Sequence, residues 1–163
     1  MTADREWTAG VLVWFEDNPR GREALASAHA VARERHEHLT VVAVATQEQV
    51  IGCGRCLQGT VLWNLEMKKI AQEELLAARE LLGDAADVSY RVAVGDPVEV
   101  ITEAARRAAA RTVVLPRQRS APLCPPNRRN LGERVGQVGP WQVLVGPARG
   151  ADPASLSAGP SPA

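Results

Sequence analysis

The chain has 163 residues, of which 45% are hydrophobic and 23% charged, a composition that excludes a wholly disordered chain and suits one folded domain. Its 19 basic and 19 acidic residues cancel, which excludes a general electrostatic attraction to nucleic acid or to a membrane surface. No apolar run approaches the ~20 residues of a membrane span, and the opening MTADREWTAG carries no apolar signal segment. We therefore expect a cytoplasmic protein that binds neither nucleic acid nor membrane.

Five short runs of β-prone residues are spaced along the chain as candidate strands. They cover 11–15, 39–45, 88–94, 112–115 and 141–145. All but the third are continuously apolar, which is typical of strands covered on both faces of a parallel sheet. The third run alternates polar and apolar residues, as expected of a strand nearer the edge of the sheet.

Four helical patterns fill the gaps between these runs. They cover 20–36, 63–82, 97–110 and 129–138. The alternation of strands and helices predicts an α/β fold, a single doubly wound sheet of five parallel strands with helices on both faces. The second helix is predicted to bury one stripe of large side chains, comprising Leu65, Ile70, Leu75, Leu76 and Leu82.

Three segments show neither pattern and are interpreted as irregular. They are 47–62, 116–128 and 147–163. The last is rich in proline and small residues, which predicts a disordered tail. The expected organisation is therefore an N-terminal extension over 1–9, one α/β domain over 10–146 and the tail over 147–163.

Several motifs occur in an order and spacing that resembles the universal stress protein (UspA-like) family. They are VLVWFEDNPRGREAL at 11–25, LTVVAVAT at 39–46, VAVGDPVEVITEAARR at 92–107, TVVLP at 112–116, ERV at 133–135 and GPWQVLV at 139–145. The resemblance covers about 11–146, nearly the whole chain. It implies the strand order 3-2-1-4-5, a ligand pocket between the ends of strands one and four, and a non-enzymatic role in stress response or regulation.

The chain departs from the ATP-binding branch of that family in the loop after strand four. The family carries glycines there, whose backbone N–H groups surround the phosphates. The matching positions here are Pro116, Arg119 and Arg129, the last followed by Asn130. Proline has no N–H to donate, and the arginines add bulk. The resemblance therefore implies a divergent member without standard ATP binding, for which no cofactor is expected.

Other residues of the implied pocket come from the ends of strands one and two. The family's first-strand aspartate falls on Glu16, with Asp17 next to it, and Val44 would line the adenine side. Adjacent carboxylates at a strand end point in opposite directions, so we expect one of them to cap the first helix rather than to share a proton.

An excess of arginine around the fourth strand leaves a second interpretation open. Six arginines stand between 111 and 135, at 111, 117, 119, 128, 129 and 134, against the single acid Glu133. Guanidinium groups hold phosphates by paired hydrogen bonds. Arg117, Arg119 and Arg129 are thus candidates for a rebuilt site that binds ATP, another nucleotide or phosphate. The alternative is that these arginines are solvated in the loop or pair with Glu16 and Asp17.

Two cysteines, Cys53 and Cys56, form a CxxC motif that is expected to lie in the loop over 47–62. Two thiolates at this spacing chelate a metal or close a reducible disulfide. Cys124, in the loop after strand four, is a candidate third ligand. Three readings stay open: ordinary loop thiols, a thiol-redox pair, or a metal-responsive site.

The remaining expectations concern catalysis and self-association. Ser27 and Ser120 have no histidine and acid placed to form a nucleophilic triad, so no enzymatic activity is expected. In the family that the chain resembles, the fifth strand often pairs across a two-fold axis. A homodimer is therefore expected, with a strand formed by Trp141, Val143, Leu144 and Val145. Trp14 and Trp63 are expected to serve core or loop packing.

Overall fold

The computed structural model describes residues 10–47, 54–117 and 131–146, without the side chains of residues 54–58. Its elements in chain order are β1 (Gly10–Trp14), α1 (Pro19–Arg35), β2 (His38–Ala45), α2 (Gly54–Leu82), β3 (Val88–Val94), α3 (Pro97–Arg107), β4 (Ala110–Leu115), α4 (Leu131–Val138) and β5 (Gln142–Val145). All strand pairs are parallel, and the order is β3-β2-β1-β4-β5. The predicted fold class and strand order are confirmed.

The central strand β1 is buried along its whole length because helices cover both faces of the sheet. Val11, Val13 and Phe15 pack against α1 and α2 on one face. Leu12 and Trp14 pack against α3 and α4 on the other. Each fully buried side chain of this size contributes about 1.5–3 kcal/mol to the stability of the fold. Burial on both faces therefore fixes the position at which β1 ends. The expectation of core or loop packing holds for Trp14, which is buried, but not for Trp63, which is 48% exposed on α2.

The third helix ends earlier than predicted. The predicted range was 97–110, but α3 ends at Arg107 and β4 already begins at Ala110. The run of alanines favours a helix by propensity. Ala109, however, has a positive φ of 43°, and this left-handed residue turns the chain back into the sheet.

The second helix begins nine residues earlier than predicted. The sequence pattern predicts a loop over 47–62, whereas α2 starts at Gly54 and so includes Cys56. Residues 54–62 contain no proline, and an isolated glycine such as Gly59 costs a helix only about 1 kcal/mol. A glycine-containing stretch can therefore extend an existing helix.

The predicted buried stripe of α2 is also wrong. Leu65, Ile70 and Leu76 are exposed. The helix instead rests on Ala71 and Ala78, with Met67, Leu75 and Leu82 partly buried beside them. Residues seven apart return to the same face of a helix, and these alanines let α2 approach the sheet closely.

Candidate functional site

The switch point of the sheet, where the fold leads us to expect a ligand crevice, lies at the carboxyl ends of β1 and β4. These two strands are neighbours at the centre of the sheet, with Val13 paired to Val114. From β1 the chain continues to β2 on one side, and from β4 it continues to β5 on the other. In open α/β sheets, ligands bind where the strand order reverses in this way. The turn after β1 and the residues after β4 therefore form the two walls of the candidate site.

Asn18 organises the wall that follows β1. Its side-chain oxygen accepts a hydrogen bond from the Gly21 N–H at 2.8 Å and so caps α1. Its side-chain amide donates to a carboxylate oxygen of Glu16 at 3.0 Å. The expectation that Glu16 or Asp17 caps this helix is wrong. Asn18 occupies the cap position, one residue later, because Pro19 begins the helix.

Gly21 allows this turn to close tightly. A Cβ atom at this position would overlap the carbonyl oxygen of Glu16. Only glycine lets the first turn of α1 lie directly against the end of β1. The path of the backbone at Glu16 therefore depends on a residue of the next helix.

Asp17 connects this turn to two helices. Its carboxylate accepts hydrogen bonds from the Arg22 guanidinium at 2.8 and 3.0 Å. Its backbone N–H donates to the Glu74 carboxylate of α2 at 3.4 Å. Among the described residues, the arginine that pairs with Asp17 belongs to α1, while Arg119, Arg128 and Arg129 lie outside the described residues.

Glu74 is a member of this site that the sequence analysis missed. It is half-buried, and burial raises its pKa from 4.5 to about 7. The Asp17 N–H opposes this shift, while the negative charges of Glu16 and Asp17 add to it. Glu74 lies three and four residues from the buried Ala71 and Ala78, but the sequence pattern of α2 favoured another face, so no sequence signal identified it.

The second wall, after β4, is formed by Pro116 and Arg117. Pro116 is buried and Arg117 is exposed. The exposed Arg20 of α1 crosses between the walls, because its guanidinium donates to the carbonyl oxygen of Arg117 at 3.2 Å. Val44, at the end of β2, is half-buried against the core on the α3 side. Arg20 is a second residue that the sequence analysis did not single out.

The remaining predicted site residues are not brought together by the described structure. Arg119, Arg129, Asn130, Cys53 and Cys124 lie outside the described residues, and of Cys56 only the backbone position in α2 is described. Arg111 belongs to the opposite edge of the sheet, where it lies 3.9 Å from a Glu37 carboxylate oxygen. The interpretation that groups Arg111 with the arginines after β4 is therefore wrong, because residue 111 lies near the start of β4 and the others follow its end.

Possible metal ligands do not cluster among the described residues. No group of three or more His, Cys, Asp or Glu side chains there is arranged to hold a metal ion. The hydroxyl of Ser27 donates to the Glu23 carbonyl within α1 at 2.9 Å. In that part of the chain no helix combines the length and hydrophobicity needed to cross a bilayer.

The strand β5, which is expected to pair two copies of the chain, has both buried and exposed side chains. Trp141 precedes β5, and its side chain is buried in the core of its own chain. Val143 and Leu144 are half-buried, while Val145 is 53% exposed.

A separate groove of about 410 Å³ lies between α3 and β3. Its base is apolar and includes Val42, Ala93 and Val100. Glu103 and Arg107 on its rim form an ion pair at 2.8 Å. This concavity is on the α3 face of the sheet and is distinct from the β1/β4 edge.

Comparison with known proteins identifies the fold. No protein-family model matches the sequence, and no curated protein is detectably similar to it. Among solved structures, the universal stress protein UspA from Lactobacillus plantarum superposes with a TM-score of 0.68 at 15% identity, over 85% of this chain and 97% of that one.

Two further solved structures are named as nucleotide complexes. The universal stress protein from Archaeoglobus fulgidus in complex with dAMP has a TM-score of 0.53 and 17% identity, over 86% of this chain and 99% of that one. A universal stress protein family protein from Arabidopsis thaliana with AMP bound has a TM-score of 0.52 and 12% identity, over 90% and 99% of the two chains. Together with the strand order, these superpositions show that the chain has the UspA-like fold of the universal stress proteins.

Proposed function

We propose that the chain is a non-enzymatic regulatory protein of the stress response that does not bind ATP in the standard way. The observation that carries this proposal is the grouping of Glu16, Asp17 and Glu74 at the end of β1. A triphosphate at this edge needs cations or N–H donors, and carboxyl groups supply neither, while the nearby Arg22 guanidinium is already paired with Asp17. Buried Pro116, at the first position of the family's glycine loop, has no N–H to contribute.

Calorimetric titration of the reduced protein with ATP and magnesium tests this proposal. We expect no binding heat up to millimolar ATP. A dissociation constant of about 100 μM or tighter, equivalent to about −5.5 kcal/mol, would contradict it. The double variant Glu16→Gln/Asp17→Asn identifies the cause, because it should gain ATP affinity if the carboxylates are what exclude the triphosphate.

The position of Arg20 favours a second candidate, a sensor of a nucleoside monophosphate or of phosphate. Its guanidinium already bridges the two walls of the crevice, and a single phosphate is a ligand that arginine binds through paired hydrogen bonds. Two structural neighbours are named as complexes with AMP and dAMP. These observations support a ligand smaller than ATP.

Titration with AMP, dAMP and inorganic phosphate tests the sensor. The sensor is supported if the wild type gives a saturable binding heat and Arg20→Ala does not. Arg106→Ala, an exposed arginine of α3, is the control and should retain binding. Arg119→Ala and Arg129→Ala then report whether the loop after β4 also holds the phosphate. Absence of heat with every ligand leaves the first proposal standing.

Self-association through β5 is a further part of the proposed function. The exposed Val145 and the half-buried Val143 and Leu144 support it, because an unpaired apolar edge strand is commonly covered by another chain. Val145→Glu should then weaken dimer formation in sedimentation velocity experiments. An unchanged dimer in that variant would exclude β5 as the contact.

A further inference from the structure

Ser89 and His38 form a hydrogen-bonded pair of side chains outside the candidate site. The Ser89 hydroxyl oxygen lies 2.7 Å from the Nε2 atom of His38. Both side chains are half-buried and so remain partly open to solvent. A serine oxygen becomes a nucleophile when an imidazole in hydrogen-bond contact accepts the hydroxyl proton as the oxygen attacks. The pair therefore has the two groups that nucleophilic chemistry at a serine requires.

The alternation of side chains along β2 and β3 places this pair on the α3 face of the sheet. Val88 and Tyr90 pack with α1 and α2 on the opposite face, so Ser89, which lies between them, faces α3. Leu39 also packs on that opposite face, so its neighbour His38 faces α3 as well. The pair lies where β2 and β3 begin, at the opposite end of the sheet from the candidate site.

The groove of about 410 Å³ between α3 and β3 continues from this pair. Arg91 lines the groove and follows Ser89 by two residues on the same face of β3, which corresponds to about 7 Å. The base of the groove is apolar and includes Ala93 and Val100. Sites for small molecules typically measure about 300–1,000 Å³ and are mostly apolar. The groove therefore has the size and lining to hold an apolar chain next to Ser89.

We propose that Ser89 accepts an acyl group, and that the donor is an ester with an apolar acyl chain that lies in the groove. The Ser89 oxygen forms a bond to the ester carbonyl carbon, and its proton passes to Nε2 of His38. The bond between that carbon and the ester oxygen then breaks, and the leaving alcohol takes the proton from His38. The products are an acylated Ser89 and a free alcohol, so the atoms balance without another reactant.

Arg91 stabilises the charge that develops during this transfer. Its exposed side chain lies on the part of the groove nearest Ser89, and a guanidinium carries five N–H donors. Negative charge forms on the carbonyl oxygen when the Ser89 oxygen attacks. Hydrogen-bond donors directed at that oxygen lower the barrier to acyl transfer.

This inference goes beyond the proposed function, which concerns the carboxyl ends of β1 and β4. Transfer of one acyl group modifies the chain and is not turnover, so the proposed regulatory role is retained. The two proposals use different residues, and variants of one site leave the other site intact.

Covalent labelling of the full chain tests the nucleophile. An alkyl fluorophosphonate, from which fluoride leaves, should add one label per chain, and mass spectrometry of peptides should place it on Ser89. Ser89→Ala should abolish the label. His38→Gln should slow labelling about 100-fold, within the range of general-base catalysis. Ser27→Ala is the matched control and should label at the wild-type rate, because the Ser27 hydroxyl donates to the Glu23 carbonyl within α1. Circular dichroism confirms that each variant folds.

Esters of p-nitrophenol test the acyl group and the groove. We expect one equivalent of p-nitrophenolate per chain, released about tenfold faster from the octanoate than from the acetate. Ala104→Phe, which adds bulk in the groove, should remove this preference. Arg91→Ala should slow release from both esters about tenfold, and Arg91→Lys should recover part of the rate.

Four outcomes separate the parts of the proposal. It is overturned if Ser89 stays unlabelled, or if His38→Gln labels at the wild-type rate. Equal rates with octanoate and acetate overturn the assignment of the acyl chain to the groove. Release that continues beyond one equivalent and is lost in Ser89→Ala supports the nucleophile, but contradicts the non-enzymatic part of the proposed function.

Discussion

The indole N–H of Trp141 donates a hydrogen bond to the carbonyl oxygen of Val135 at 2.9 Å, inside the core. Val135 belongs to the last turn of α4, whose carbonyl groups have no partners within the helix. The indole thus satisfies a buried acceptor and fixes α4 against the start of β5. A Cβ atom at Gly139 would overlap the ring, so the intervening turn is fitted to this tryptophan.

Trp141→Phe should destabilise the fold by about 1–3 kcal/mol, because the Val135 carbonyl would stay buried without a donor. Urea denaturation measures the change in the free energy of unfolding. The exposed neighbour Gln142→Ala is the control and should change it by less than about 0.5 kcal/mol. Equal stability of Trp141→Phe and the wild type would show that the hydrogen bond contributes nothing.

Gly21→Ala and Gly59→Ala should change stability in opposite directions. Both glycines are helical, and alanine normally stabilises a helix interior by about 0.5–1 kcal/mol relative to glycine. A Cβ meets nothing within 4 Å at Gly59, so this variant should show that gain. At Gly21 the Cβ overlaps the Glu16 carbonyl, and a loss of about 2–4 kcal/mol is expected. Thermal unfolding of the two variants compares them directly, and a stabilised Gly21→Ala would contradict the tight turn.

Because the pKa of Glu74 is raised, the contribution of this residue to the free energy of unfolding should fall as the pH rises. Between pH 4.5 and about 7 the folded state holds a proton on Glu74 that the unfolded state has released. Stability from this group is therefore greatest below pH 4.5 and declines until about pH 7. After allowance for solvent screening, the decline is on the order of 1–2 kcal/mol.

Glu74→Gln should remove this slope and should be more stable than the wild type at pH 8. Urea denaturation at pH 5 and pH 8 measures both effects. Glu34→Gln, exposed on α1, is the matched control and should keep the slope. If Glu74→Gln instead lowers stability at pH 8, the carboxylate is stabilised by its contact with the Asp17 N–H rather than penalised by burial.

Asn18→Ala should cost about 0.5–2 kcal/mol, because the Gly21 N–H would lose its acceptor. Asn18→Ser restores an oxygen at the cap and should recover most of the loss. Asp96→Ala provides a comparison, since Asp96 accepts from the Val98 N–H at 3.0 Å at the start of α3. Equilibrium unfolding separates these cases, and equal stability of the Ala and Ser variants at residue 18 would argue against capping.

The sheet could be predicted from the sequence because its strands are apolar runs separated by regular intervals. A strand that is covered on both faces, such as β1 (Gly10–Trp14), is built from apolar residues throughout, and this composition is visible in the sequence. The orientation of α2 could not be predicted in the same way. Its large residues outnumber its small ones, yet the helix contacts the sheet through Ala71 and Ala78. Periodicity weighted by residue size therefore selected the wrong face.

The sequence predicted where in the fold the candidate site lies, but it identified only some of the residues that form it. Glu16 and Asp17 follow β1, so any doubly wound sheet brings them to the switch point. Glu74 and Arg20 come from helices, and their positions depend on how each helix is rotated against the sheet. That rotation is set by packing contacts between segments far apart in sequence. The resemblance supplied the strand order, whereas the local pattern alone left it open.

The hydrogen bond from Arg20 to the Arg117 carbonyl has a consequence for folding. It joins residues 97 positions apart, and β1 and β4 pair across a similar separation. Contacts this distant form late because a long loop must close first. The crevice therefore exists only when the central strands have assembled, and a ligand bound there would stabilise the native state alone. Occupancy of this edge would report that folding is complete.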